Sequence, residues 1–248
     1  MLSRDIKVAK NADALSSLAA NLFVDLARES IATRGSFTVA LAGGSTPRKL
    51  YSLLASQRYR HELDWTHVSF LFGDERHVPP DSDESNYRMA NETLLAPLDI
   101  IPDNVHRWRA ELSDSFEAAD EYQVELVELL GSRSGSIDLV LLGLGNDAHT
   151  ASLFPNTSAL GESERLAVAN WVEKLDTYRL TLTPPAINAA RNIVFLVSGN
   201  EKATAVAQVI EGEFRPDDFP AQIVIPDDGT VYWLLDEAAA SLLTVGNS

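Results

Sequence analysis

No cysteine occurs in the 248 residues, which excludes disulfides, thiolate nucleophiles and zinc–sulfur centres. Basic side chains are scarce: 20 Lys and Arg stand against 36 Asp and Glu, a net charge of −16. Nucleic acids and anionic membrane surfaces are gripped by clustered Lys and Arg, so both are disfavoured as partners. Any anion this chain binds must be held by a few placed cations working against the overall field. Long apolar runs are missing too. None approaches the ~20 residues that span a bilayer, and Met1 to Lys10 lacks the apolar centre of a signal peptide. The expected location is the cytoplasm. The chain carries no His-Glu-x-x-His, no EF-hand loop and no Gly-x-Ser-x-Gly elbow, so no metal is expected. It has no Gly/Ser linker, low-complexity tract or internal repeat, and residues 1–248 read as one domain.

What is present is an ordinary globular composition, 45% hydrophobic, with enough apolar residues for a sizeable core. Four short apolar runs, Phe37–Ala42, Val68–Phe72, Ile137–Leu142 and Ile193–Val197, are rich in β-branched and aromatic residues. Such runs fit strands buried on both faces, the pattern of a parallel sheet. A glycine follows closely after each: Gly43, Gly73, Gly143 and Gly199. Helical spacing appears between them. From Asn11 to Arg34, Leu15, Leu18, Leu22, Leu26 and Ile31 form a stripe, with Asn11 placed to cap the start and Gly35 the end. Ser113 to Leu130 reads as a helix with Phe116, Ala119, Val124 and Val127 apolar, and Asn200 is placed to cap another running to about Ile210. Tyr178 to Thr183 alternates, with its leucines on one side and Arg179, Thr181 and Thr183 on the other. Val231 to Leu235 is a further strand, after which Asp236 is placed to cap a last helix. Strand–helix alternation predicts an α/β fold, a mainly parallel doubly wound sheet with helices on both faces.

The candidate chemistry sits directly after the strands, where open α/β sheets bind ligands. Gly43-Gly44-Ser45-Thr46-Pro47 offers bare backbone, hydroxyls and a helix start, with Thr46 as cap and Pro47 as first helical residue. That combination suits a phosphate, and it equally suits a tight strand-to-helix turn. Asp74-Glu75-Arg76 places a carboxylate and a guanidinium at a strand end, or forms a solvated charged loop. Gly143-Leu144-Gly145-Asn146-Asp147-Ala148-His149 brings in one of only five histidines. Histidine is the usual general base near neutral pH, and Asp147 is close enough in sequence to set its environment. The stretch also satisfies a Gly-x-Gly-x-x-Ala dinucleotide fingerprint. Pro155 interrupts any helix there, and no acidic strand end follows about 20 residues on, which argues against a dinucleotide site. Arg179 and Lys202 are cations suited to a phosphate, the first as a fork and the second as a point charge. Taken singly, each is a surface ion pair or a solvated helix face.

In sequence order these motifs resemble the 6-phosphogluconolactonase family. The matching stretches are Ala42–Pro47, Asp74-Glu75-Arg76 with Val78-Pro79 and Ser85-Asn86, Gly143–Pro155, Arg179–Thr183, Gly199–Ala203, and Pro226 with Gly229–Asp236. The resemblance implies the modified doubly wound sheet shared with glucosamine-6-phosphate deaminases. It implies hydrolysis of 6-phosphogluconolactone in the pentose phosphate pathway, with no cofactor and a small sugar-phosphate lactone as partner. A monomer or a homodimer is expected. Gly43, Gly44, Ser45, Thr46, Arg179 and Lys202 would hold the phosphate, and His149 would activate water. Asp74 and Arg76 would lie beside the sugar, with Arg76 a donor to the oxyanion and Asp74 or Asp147 orienting the histidine or a hydroxyl. A deaminase or isomerase acting on a sugar phosphate is the first rival. The deaminases carry a glutamate after the histidine that Thr150–Pro155 lacks, which favours the lactonase. A sugar-phosphate sensor without turnover and a nucleotide-binding oxidoreductase rank below it. Ala148 stands where the family has glycine, and positive φ there costs alanine ~1–2 kcal/mol.

Overall fold

A computed structural model describes residues 4–131, 135–226 and 228–244. Its regular elements are β1 (Arg4–Ala9), α1 (Ala12–Arg34), β2 (Phe37–Leu41), α2 (Ser45–Leu54), β3 (Val68–Phe72), β4 (Asp74–Arg76), α3 (Asn86–Ala90) and α4 (Ser115–Gly131). There follow β5 (Leu139–Leu142), β6 (Ala167–Val172), β7 (Thr177–Leu182), α5 (Pro184–Asn188), β8 (Asn192–Val197), α6 (Ala203–Glu211) and β9 (Thr230–Asp236).

Six strands form one sheet in the order β1-β9-β8-β5-β2-β3, and every pairing is parallel. β2, β3 and β5 are buried along their whole length, as continuous apolar runs require. The core also takes Phe195 stacked on Trp233, with ring centroids 4.0 Å apart. From β2 the chain moves to β3 on one side, and from β5 it moves to β8 on the other. The C-terminal ends of β2 and β5 therefore flank the switch point, where neighbouring loops diverge and leave a crevice.

A second sheet, β4-β7-β6, is antiparallel and small. It continues from β3 through Gly73, whose N–H donates to Leu41 O at 2.8 Å while its carbonyl accepts from Leu182 N–H at 2.8 Å. This sheet overhangs the C-terminal edge of the large one.

Local signals decide most element ends. Asn11 accepts from Asp13 and Ala14 N–H and starts α1, and Gly35 at φ 79 ends it. Leu15 is fully buried, and Leu18, Leu22, Leu26 and Ile31 pack around the same core. Asp138 is buried at the start of β5, where it accepts from Thr38 N–H at 2.9 Å and from Arg34 at 2.9 Å, tying α1, β2 and β5 together.

Several expectations are corrected. In α4 the buried face is Ala118, Ala119, Tyr122, Leu126 and Leu130, while Phe116, Val124 and Val127 face out. Tyr122 selects that face, because it stacks on Trp108 at 3.8 Å and receives Phe72 N–H on its hydroxyl. Thr46 does not cap α2, which begins at Ser45 behind Gly44, whose φ of 102 turns the chain earlier. Asn200 caps no helix; it opens a 3-10 turn behind Gly199, at φ 108, before α6. Asp236 receives Ala239 N–H at 2.8 Å, yet residues 237–242 form turns and no helix. The even alternation expected for Tyr178–Thr183 also fails, since Thr181 and Thr183 are as buried as the leucines.

Candidate active site

The crevice at the switch point has a volume of about 210 Å³ and is lined by Gly43, Gly44, Asp74, Arg76, Asn86, Gly145, His149, Thr150 and Lys202, among others. Four strand ends supply it: β2, β3 leading into β4, β5, and β8 through its 3-10 turn.

The glycine loop is fixed from below. Tyr51 is fully buried, and its hydroxyl donates to Ala42 O at 2.8 Å and accepts Ala42 N–H at 2.9 Å. Burial holds this phenol well above the ordinary tyrosine range, so it stays neutral and can do both. Gly43 is required by its neighbour: a Cβ there would lie 2.0 Å from Asn86 Oδ1. No side chain caps the start of α2, so its first N–H groups face the crevice entrance with the positive end of the helix dipole. Ser45 is exposed and Thr46 half-buried at that turn, and neither lines the crevice itself.

β4 supplies Asp74 and Arg76. Asp74 is doubly held: Oδ1 accepts from Asn86 Nδ2 at 3.1 Å, and Oδ2 accepts from Ser152 Oγ at 2.6 Å. Glu75 between them points into the protein and accepts from Arg76 N–H, Asn86 N–H, Tyr87 N–H and Ser85 Oγ. Burial pushes Glu75 above the usual carboxylate range, and these donors oppose it. It fastens β4 to the start of α3 and so sets Asn86. Arg76 donates to Glu84 O and lies opposite Arg179 in the β4–β7 pairing. Among the described residues, neither guanidinium is within ion-pair distance of a carboxylate. Burial first, and then the charge of Arg76, holds Arg179 below its ordinary range. The two guanidiniums are neighbours beside the crevice, with Asp74, Glu84 and Glu75 near enough to act on Arg179 but paired with neither. Arg179 does not line the crevice directly.

The loop after β5 carries the histidine. Ala148 and Ala151 both adopt left-handed backbone, at φ 60 and 46. Ala148 N–H donates to Gly145 O at 3.0 Å, and Gly145 N–H donates to His149 O at 2.8 Å, closing a tight turn. A Cβ on Gly145 would lie 2.0 Å from His149 Nδ1, so only glycine leaves room for the ring. His149 Nδ1 lies 2.5 Å from Asp147 Oδ1. A carboxylate only accepts, so Nδ1 carries the proton of this bond and Nε2 is the ring nitrogen left free of the acid. Burial raises Asp147, but hydrogen bonds from His149 and then Lys174 outweigh it and hold the acid far below its usual range. Asp147 therefore sits behind the histidine, outside the crevice lining, and Asp74 contacts Asn86 and Ser152 instead. The imidazole stacks on Phe154 at 4.1 Å. Lys202 reaches the crevice from the turn after β8, whose Gly199 N–H and Ser198 Oγ are bound by Asp236 at 3.1 and 2.5 Å.

The structure thus brings Gly43, Gly44, Asp74, Arg76, His149 and Lys202 to one crevice, with Asp147 behind the histidine, Arg179 beside Arg76, and Ser45 and Thr46 at the rim. Sequence reading assigns no role to Asn86, Ser152 or Lys174. Asn86 and Ser152 lie inside matched motifs, so their position is legible and their contacts are not.

The family model described as glucosamine-6-phosphate isomerases/6-phosphogluconolactonase matches residues 10–233. The chain belongs to this family. It is 41% identical over 218 residues to a 6-phosphogluconolactonase of Synechocystis, covering 87% of this chain and 88% of that protein. It is 36% identical to one of Nostoc, over 98% of this chain and all of that protein. The structure of 6-phosphogluconolactonase from Trypanosoma cruzi superposes with a TM-score of 0.87 at 32% identity, covering 98% of each chain. A monomeric glucosamine-6-phosphate deaminase shares the fold, with a TM-score of 0.81 at 24% identity. The α/β sheet read from the sequence is the family's own. Among the described residues, no helix is long and apolar enough to cross a membrane.

Proposed function

We propose that this chain hydrolyses 6-phosphoglucono-1,5-lactone to 6-phosphogluconate in the pentose phosphate pathway, with His149 as general base. One observation carries the mechanism: an aspartate-held imidazole shares a 210 Å³ crevice with Arg76 and Lys202. The substrate's phosphate lies against the start of α2, with Lys202 and Arg179 as its cations, and this fixes the lactone carbonyl near the imidazole. His149 Nε2 takes a proton from water as the water oxygen bonds to the carbonyl carbon. The Arg76 guanidinium donates to the resulting oxyanion. The ring C–O bond then breaks, His149 returns the proton to the departing ring oxygen, and the new carboxylic acid loses its proton to solvent. Asp74, fixed by Asn86 and Ser152, offers its carboxylate to a sugar hydroxyl. An ester carbonyl is reactive enough that no covalent intermediate is needed.

Deamination of an amino sugar phosphate is the competing activity within the family. The residues after His149, Thr150 to Pro155, contain no carboxylate for its proton transfers. The deciding experiment is a coupled assay on freshly made δ-lactone, corrected for spontaneous opening, with ammonia release from glucosamine 6-phosphate measured in parallel. His149→Ala should lower kcat by about 10²–10⁴-fold with little change in KM. Full turnover in that variant would remove the histidine from the reaction, and ammonia release by the wild type would reassign the substrate.

A further inference from the structure

The base pair His149–Asp147 is completed by a third group that comes from a different element. Lys174 lies on the 3-10 turn Glu173–Leu175 joining β6 to β7. Its ammonium contacts Asp147 Oδ2, the oxygen that the imidazole leaves free. The same ammonium sits 4.5 Å from the centroid of the Phe154 ring, on which His149 also stacks. Lys174 therefore touches both side chains that hold the imidazole, one through charge and one through the ring face. Asp147, Phe154, Trp171, Glu173 and Lys174 also line a separate cavity of about 630 Å³, which His149 does not line.

An aspartate behind a histidine has two opposed effects. It fixes the tautomer and aims Nε2, which a general base needs. It also stabilises the imidazolium, which keeps the base protonated and idle near neutral pH. A cation on the far oxygen separates the two effects. The Nδ1–H···Oδ1 bond and its geometry persist, while the carboxylate's charge is largely compensated and the ammonium itself repels a proton arriving at Nε2. We propose that Lys174 is a positioning residue for the reaction, acting through Asp147 and Phe154 to aim His149 and to keep it unprotonated at neutral pH. The proposal rests on His149 being the base.

The other charged groups facing the imidazole are Asp74 and Arg76 of β4 and Lys202 after β8, all lining the same crevice. None of them contacts Lys174, so replacing Lys174 leaves that side of the ring as it was. Lys174 is half exposed, with 51% of its side chain accessible. An ion pair this exposed adds little to stability. Its contribution therefore appears in a titration and not in a melting temperature.

The test uses the full chain labelled with ¹⁵N. Long-range ¹H–¹⁵N spectra report the charge and tautomer of each imidazole, and the signals missing from His149→Ala assign His149. In Lys174→Met the His149 midpoint should rise by roughly half to one pH unit, since a compensating charge near the ring has been removed. Lys174→Arg should return it most of the way. The acidic limb of kcat/KM should move in the same direction, so that Lys174→Met loses several-fold more activity between pH 8 and pH 6 than the wild type does. An unmoved or lowered midpoint in a folded Lys174→Met overturns the proposal, as does a shift that Lys174→Arg fails to reverse. Should His149→Ala retain turnover, the base assignment fails by itself, while the titration still reports whether Lys174 governs the ring.

Discussion

Two residues in the histidine loop make opposite demands on backbone and space. Ala148 is held at φ 60, where an L side chain is strained by about 1–2 kcal/mol, and it is buried there. Gly145 has no such φ, but a Cβ would collide with the imidazole that abuts it. The loop does turn through positive φ at Ala148, and the alanine accepts the cost. Its position inside the turn between Gly145 O and Ala221 N–H, which donates to its carbonyl at 2.9 Å, keeps it there. Ala148→Gly should therefore relieve strain, less about 0.5–1 kcal/mol of extra unfolded-state entropy. The net gain is about 0–1.5 kcal/mol, with kcat equal to or above that of the wild type. Gly145→Ala should displace the ring and lower kcat at least tenfold. Thermal melts and the lactone assay on both variants check the pair; a large loss from Ala148→Gly would mean the loop is shaped by something other than this turn.

At the scale of elements, the small antiparallel sheet is what assembles the site. β4 carries Asp74 and Arg76, β7 carries Arg179, and the turn between β6 and β7 carries Lys174. The histidine loop is pinned to the same sheet: Ser152 N–H donates to Thr181 Oγ1 at 3.2 Å, and Asn170 Nδ2 donates to Ser152 O at 2.9 Å. Asn170 is fully buried, and it also bonds Thr157 and Ala159. Asn170→Ala strands those groups and should cost about 1–3 kcal/mol. A melting temperature lower by about 2–4 °C per kcal/mol is expected, together with reduced kcat. A variant that melts with the wild type would show that the loop stands without this anchor. These elements also mark the limit of what the sequence discloses. The buried strands of the large sheet announce themselves as apolar runs, and each site loop follows one of them. β4 reads as a charged loop, because three residues are too few to show a period. β6 escapes notice because Asn170 is a polar residue buried on a strand, which breaks alternation. Contacts between such pieces, Ser152 with Asp74 or Lys174 with Asp147, join residues 78 and 27 positions apart, and no local pattern encodes them.

For the molecule as a whole, the acidic excess and the anionic substrate oppose each other. A phosphate dianion approaching a body of charge −16 is repelled at long range and attracted only near Arg76, Arg179 and Lys202. The reach of each effect is set by ionic strength. At about 0.01 M salt the screening length is about 30 Å, so the substrate feels nearly every carboxylate; at about 0.15 M it is about 8 Å, and only groups around the crevice count. The cations act at contact, partly shielded from solvent, and lose less to screening than the distant carboxylates do. Hence kcat/KM for the phosphorylated lactone should rise, roughly two- to fivefold, as sodium chloride goes from about 10 to about 150 mM. Unphosphorylated glucono-δ-lactone is neutral and should show a flat response, which separates field effects from salt effects on the protein. A steep fall for the phosphorylated substrate alone would mean that these cations govern the field well beyond the crevice, and that the acidic surface is arranged away from the path of approach.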